Sequence, residues 1–416
     1  MLITRTLPFC LLLWLASAPW ARAQNCPDPQ ATNYNPAAVG NDGSCQYPLT
    51  RTLLPPKTKL ADDVAETSGL QYVGGQLWTF NDSGNAPVLF RVDSTDGRVL
   101  QQVRISNFAN VDWEDIAADG RYLYVGDFGN NNGDRRNLRV LRVPRAGLGP
   151  AADQVAAEAI EFSYPDQTDF TPRTNRHNFD CEAFFFANDS LHLFTKNWLD
   201  LQTRYYTVPT TPGTYVAHLK GTFNVNGLVT AADIGPTGTV AALLGYSVAD
   251  GSTFMWLLSG FQGSRFLQAN KRRIELPSAL EIGQAEGLCF TERDCIFLSN
   301  ERFTALIFSV PQQLYALSIG RWLAPTVLAG RAAQPAISFT VLPNPARHTL
   351  RIERGANAAG AAHYTVRDLR GRSVLAGILA ASQHGQNLEV SALAAGIYVL
   401  KLELPQGSFS QKVTVE

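Results

Sequence analysis

The sequence VDWEDIAADGRYLYVGDFGNN, Val111 to Asn131, decides how the chain is read. It opens on acidic residues and runs through a short apolar stretch to an Asp119-Gly120 turn. A second apolar stretch follows, Leu123-Tyr124-Val125, with a polar exit at Asp127. Short apolar runs either side of a two-residue turn signal predict two antiparallel strands joined by a hairpin.

The same plan recurs. Aligned on the start of the first strand, the copies begin at Ser68-Gly69-Leu70, Glu114-Asp115-Ile116, Glu182-Ala183-Phe184, Ala232-Asp233-Ile234 and Glu286-Gly287-Leu288. Their exits are Asn81, Asp127, Lys196, Gly245 and Asn300, thirteen or fourteen residues after each anchor. A third strand follows in each copy, at Val88 to Val92, Leu138 to Pro144, Arg204 to Pro209, Phe254 to Leu258 and Ala305 to Pro311. Four copies add a less regular fourth strand. Four strands in about 45–55 residues make a β-propeller blade. The fold class is therefore all-β, a propeller over 51–330 with a small β-sandwich after it. Five blades are expected, or six if a degenerate blade hides in Pro311 to Gly330 or in the long second interval. Thr52-Leu53-Leu54 is expected to complete the last blade, which would leave the ring without an open edge.

The chain has 416 residues, 45% apolar and 17% charged, enough for a real core and more than one domain. A formal net charge of −1 gives no electrostatic case for nucleic acid. Residues 1–23 read as a signal peptide, with Arg5, an apolar stretch from Leu7 to Trp20 and an Ala21-Arg22-Ala23 cleavage site. No later run reaches the ~18 apolar residues of a transmembrane helix, so an exported, soluble protein is expected. Of the six cysteines, Cys10 leaves with the leader. Cys26 and Cys45 are expected to pair across the small Asp/Asn-rich module at 24–50, and Cys289 with Cys295 across a hairpin, leaving Cys181 free. The oxygen donors Asp28, Asn33, Asn35, Asn41 and Asp42 of the module could hold calcium, but Asp, Asn and Pro also simply make turns.

Leu328 to Gln334 reads as a linker, and 335–416 as a β-sandwich of short alternating strands. Within it stand Leu342-Pro343-Asn344-Pro345, Asp368-Leu369-Arg370-Gly371-Arg372, Leu393-Ala394-Ala395-Gly396-Ile397-Tyr398 and Lys412-Val413-Thr414-Val415. These elements, in this order, resemble the C-terminal sorting domain of type IX secretion cargo. The segment from Cys26 to Tyr47 is similar to a short Cys-bounded module of surface and secreted proteins in bacteria with that system. The resemblance implies delivery by the type IX machinery and a place in the medium or on the outer cell surface.

In a propeller the start of the first strand and the end of the second lie on one face, around the central channel. That geometry gathers Glu114, Glu182 and Glu286 as candidate metal ligands or catalytic groups. Asn81, Asp82, Asp127, Lys196, Asn197, Asn300 and Glu301 join them as candidate ligand-binding residues. Converging carboxylates need a cation, bound water or nearby Lys and Arg. One reading is a single divalent ion, Ca2+, on glutamates of different blades. Another is that each acid accepts hydrogen bonds from blade backbone. The short E-[GDA]-[LIF] anchors with N-D or N-E exits are similar to those of calcium-dependent lactonase and esterase propellers, including the phytase-like esterase group. Two functions follow: binding of a glycan or protein at the channel mouth, or calcium-dependent hydrolysis of a lactone, ester or phosphoester. No G-x-S-x-G, H-E-x-x-H, C-x-x-C or phosphate-binding loop is present, which disfavours serine or zinc hydrolysis.

Overall fold

The structure is a computed structural model that describes residues 25–305, 308–323, 338–355, 358–368, 371–404 and 407–416. The leader read over residues 1–23 and the linker read over residues 328–334 lie outside these. The chain divides into two compact units, Met1–Ala324 and Pro325–Glu416.

In the first unit, five sheets of four strands or more form a closed ring among the described residues. Their inner strands are Thr67–Val73, Trp113–Ala118, Asp180–Ala187, Leu228–Ile234 and Ala285–Glu292. Each inner strand packs beside the next, and the fifth packs beside the first. The inner strands are buried along most of their length because both of their faces are covered by neighbouring blades. Aromatic residues fill the wedges between blades. Phe80 meets Trp113 edge-on at 5.3 Å between blades 1 and 2, and Phe128 meets Phe184 the same way between blades 2 and 3.

The ring closes as expected on an N-terminal strand, but not on Thr52-Leu53-Leu54. Pro56–Lys59 is the fourth strand of blade 5, antiparallel to Gln313–Ser318. Thr50–Arg51 instead adds a parallel fifth strand to blade 4. Leu54 is apolar because it fills the core between blades 4 and 5, while Leu53 is exposed, so this pair signals one packing contact and not a ladder. The third strand of blade 5 is also displaced. The stretch expected there, Ala305 to Pro311, belongs mostly to a small hairpin of Phe303–Ala305 with Phe308–Val310. Gln313–Ser318 takes its place, with Leu314, Tyr315 and Leu317 buried.

Cys26 and Cys45 are bonded, but Cys289 and Cys295 are not. Ladder register explains the second case. Cys289 lies opposite Phe297, and Cys295 opposite Glu292. The two thiols therefore stand about two residue pairs apart along the hairpin, roughly 7 Å at strand rise, beyond easy disulfide reach. Cys181 is free and buried.

In the 24–50 module the oxygen donors make turns. Asp28 accepts from the Gln30 amide and the Tyr47 hydroxyl, Asp42 from the Ser44 amide, and Asn41 from the Gly43 amide. The module rests on blade 4 through Asn41 to Asn270 at 2.7 Å and Arg272 to Gln30 at 2.7 Å, with the Arg272 guanidinium over the Tyr47 ring.

The second unit holds a three-stranded sheet (Phe339–Leu342, Thr349–Arg354, Gly385–Glu389) and a four-stranded one (Ala362–Arg367, Ser373–Leu379, Gly396–Leu404, Gly407–Val415). Alternate residues such as Leu350, Ile352, Tyr364, Val366, Leu400 and Leu402 form its core. Among the described residues of the chain, no helix is long and apolar enough to cross a membrane.

Candidate functional site

The channel mouth is built on a repeated irregularity. Every inner strand carries a break in register with its neighbour near its start, where one residue has no partner. The unpaired residues are Gly69, Glu114, Glu182, Thr230 and Glu286. A β-bulge turns a side chain out of the pleat, and here it presents three glutamates at equivalent places. The structural equivalents of these glutamates in blades 1 and 4 are thus Gly69 and Thr230, not Ser68 and Ala232 as sequence alignment had them. Gly69 has φ +61°, and a Cβ there would stand 2.9 Å from the Asp115 Cα of the next blade. Thr230 donates to the Ala285 carbonyl at 2.9 Å.

Blade-to-blade backbone bonding falls to other residues. Asp115 is fully buried and accepts from the amides of Ile116, Phe184 and Ala232 at 2.8, 3.0 and 3.1 Å, which lie on three different inner strands. Asp233 accepts from Phe290 at 2.8 Å, and Ser68 donates to the Glu114 carbonyl at 2.8 Å. The anchor glutamates are left for the mouth.

Glu182 receives the Lys196 ammonium at 2.7 Å, both side chains almost wholly buried. Burial alone would lower the Lys196 pKa, but Glu182 and then Tyr246 hold it well above its ordinary value. The ammonium also lies 5.0 Å from the Trp198 ring and 5.6 Å from that of Tyr246, both half-buried. Glu286 is hydrogen-bonded by Gln284. Glu114, only 6% exposed, meets no hydrogen-bond donor among the described residues. The backbone of Gly129 lies against it, so close that a Cβ there would collide with the Glu114 Oε1 and the Asp112 carboxyl.

Two trios of carboxylates converge, Asp82 with Asp112 and Glu114, and Asp82 with Glu286 and Glu301. Within each, one oxygen per residue lies within 4.8 Å of the others. Calcium binds oxygen at about 2.3–2.6 Å, so two ligands on opposite sides of one ion stand at about that separation. The crowding raises the acids. Burial, then Glu286 and Asp112, lift Asp82 to about 7. Burial and Asp180 lift Asp112 to about 6. Burial, then Glu286, lift Glu301 to about 10. Burial, then Glu182 and Asp82, push Glu114 well above the usual carboxylate range, and burial does the same to Glu182 against the pull of Lys196.

Of the residues picked out in the sequence, Glu114, Glu182, Glu286, Asp82, Lys196 and Glu301 come together here. The others are taken up by structure. Asp127 pairs with Arg135 at 3.0 Å and Arg139 at 2.8 Å. Asn81 bridges the Asp63 carbonyl and the Glu66 amide. Asn197 holds Thr195 and Asp200. Asn300 holds the Pro311 carbonyl and the Gln313 amide. Asp112, two residues before the Glu114 anchor, is a full member of one trio. His177 is fixed between the Phe179 amide and the Asn131 carbonyl. Cavities of about 640 Å³ beside His192 and about 880 Å³ beside Arg273 have no mouth residue in their walls.

Residues 340–416 match the family model described as the secretion system C-terminal sorting domain. The chain therefore carries the sorting tail of type IX secretion cargo, which marks it for export to the cell surface or beyond. No curated protein matches the sequence. Solved structures match the chain only at low similarity. The exo-β-1,3-galactanase of Phanerochaete chrysosporium, solved with galactose, is 11% identical with a TM-score of 0.41, over 91% of this chain and 98% of that one. A 6-phosphogluconolactonase candidate from Bacteroides fragilis is 12% identical with a TM-score of 0.31, over 80% and 87%. Hydrazine synthase of Kuenenia stuttgartiensis is 12% identical with a TM-score of 0.32 over 71% of this chain, and the match spans 64% of that protein's own length.

Proposed function

We propose that this exported propeller binds its ligand at the channel mouth, and that a divalent cation of calcium type is the first component bound. One observation carries this reading: Glu114 is buried, without a donor, and converges with Asp82 and Asp112. Carboxylates so placed must hold protons or a cation, because burial and mutual repulsion both oppose their charge. The oxygen-only donor set suits a hard cation. A glycan is the ligand class that fits best around such an ion, since vicinal hydroxyls complete its coordination and the half-buried rings of Trp198 and Tyr246 lie beside the acids. Melting of the chelator-stripped chain tests the cation. Calcium is expected to raise Tm by several degrees in the wild type and not in Asp82→Asn. Equal melting with and without calcium contradicts the reading.

Calcium-dependent hydrolysis is the second reading. It draws on the same converging carboxylates of Asp82, Asp112 and Glu114, which would hold the ion that polarises a carbonyl or phosphoryl oxygen. Lactone, aryl-ester and phosphoester substrates assayed with and without calcium test it. No turnover above that of Asp82→Asn leaves binding as the function.

A further inference from the structure

We propose that the cavity of about 640 Å³ between blades 3 and 4 is a second ligand site, for a ring-sized molecule with a carboxylate or phosphate head. It lies away from the mouth. His192, in its wall, stands four residues before Lys196 on the strand Ser190–Lys196, about 13 Å at strand rise. One wall belongs to blade 3, with His192, Tyr205 and Lys220. The other is the loop of blade 4 between the strands Ser252–Ser259 and Asn270–Ser278. A volume of this size is ordinary for a small-molecule pocket.

The charge on its walls is of one sign. Lys220 and Arg265 line the cavity and no Asp or Glu does, in a chain with 36 acids against 35 basic residues. Among the described residues neither cation forms an ion pair, and Arg265 donates only to the Gln262 side chain, at 3.1 Å. Burial first, and the charge of Lys220 with it, lower the His192 pKa to about 4 against the bond to Ala187, so the Lys220 charge is felt at the cavity floor. The neutral ring is fully used. The Ala187 carbonyl can only accept, so Nε2 donates to it at 3.0 Å, and Nδ1 accepts from the Tyr205 hydroxyl at 2.6 Å. The counter-charge for an anion is therefore Lys220 with Arg265, not the imidazole. The walls are set without a ligand. Phe266, fully buried, meets the His192 ring edge-on at 5.0 Å, and Asn188 donates to the Ser264 Oγ at 3.0 Å, which holds the loop against blade 3. The rings of Tyr205 and Phe266 in the floor suit the body of a ring rather than a bare ion.

Calorimetry of the full chain in excess chelator tests the site, with glucuronate, glucose 1-phosphate and, as the neutral control, glucose. Chelator keeps divalent ions out of the mouth, so the result stands apart from the cation reading. At least one of the two anions is expected to bind saturably, with glucose much weaker, and the tighter of the two identifies the head group. Lys220→Ala and Arg265→Ala should each weaken that binding by about tenfold, and added salt should weaken it further. Both residues are exposed, so both variants are expected to keep the circular dichroism spectrum of the wild type. No saturable binding of either anion, or an isotherm unchanged in both variants, overturns the proposal.

Discussion

Glu182 and Lys196 show how a charge is kept in a buried place. Each is the other's main compensation at 2.7 Å. Removing one partner strands the other, which in buried pairs costs about 3–5 kcal/mol, whereas replacing both is often close to neutral. Glu182→Gln is therefore expected to destabilise the propeller by about that much, and Glu182→Gln with Lys196→Met to recover most of it, as read by urea denaturation. Asp82 carries the opposite kind of strain. Its carboxyl titrates at about 7 in the fold, against 3.8 when unperturbed. Below about pH 4 it is protonated in both states and makes no difference. Between about 4 and 7 the unfolded chain releases this proton and the folded chain keeps it, so stability falls as pH rises through that window. Without divalent ions, the loss of Tm between pH 4.5 and 7.5 should be smaller in Asp82→Asn than in wild type. An equal loss would show that Asp82 is not held in its protonated form.

At the scale of the strand, the bulge is what turns a repeat into a site. The sequence made the repeat legible because apolar runs and exits recur at near-constant spacing, and Glu114, Glu182 and Glu286 stand out at its anchor. It did not reveal the bulge, since an unpaired residue looks like any other in a strand. That is why Ser68 and Ala232 took the places that belong to Gly69 and Thr230. The same cause hid the division of labour between Glu114 and its neighbour Asp115. One faces the mouth, and the other ties three inner strands together. Asp115→Ala would leave the Phe184 and Ala232 amides buried without an acceptor, at about 1–3 kcal/mol each. It is expected to lower stability by more than Glu114→Gln does. The reverse order in chemical denaturation would contradict the clasp. The third strand of blade 5 departs from expectation for a related reason: Phe303–Ala305 and Phe308–Val310 have strand-like composition but, among the described residues, pair only with each other.

At the scale of the whole chain, the sorting address and the candidate site lie in separate stretches. The tail was legible because its motifs are short, specific and ordered, and residues 340–416 match the sorting-domain family. Deleting them is expected to leave the protein inside the outer membrane of a type IX-competent host, as followed by cell fractionation. Release into the medium without them would contradict that role. The ligand was not legible in the same way, because the site draws Asp82, Glu114, Glu182, Glu286 and Glu301 from four blades and only the fold brings them together. The central claim is that this meeting point is a cation site, and isothermal calorimetry of chelator-stripped protein with calcium tests it most directly. Saturable binding that is lost in Asp82→Asn is the predicted result. No saturable heat in the wild type, or an isotherm unchanged by Asp82→Asn, would contradict it.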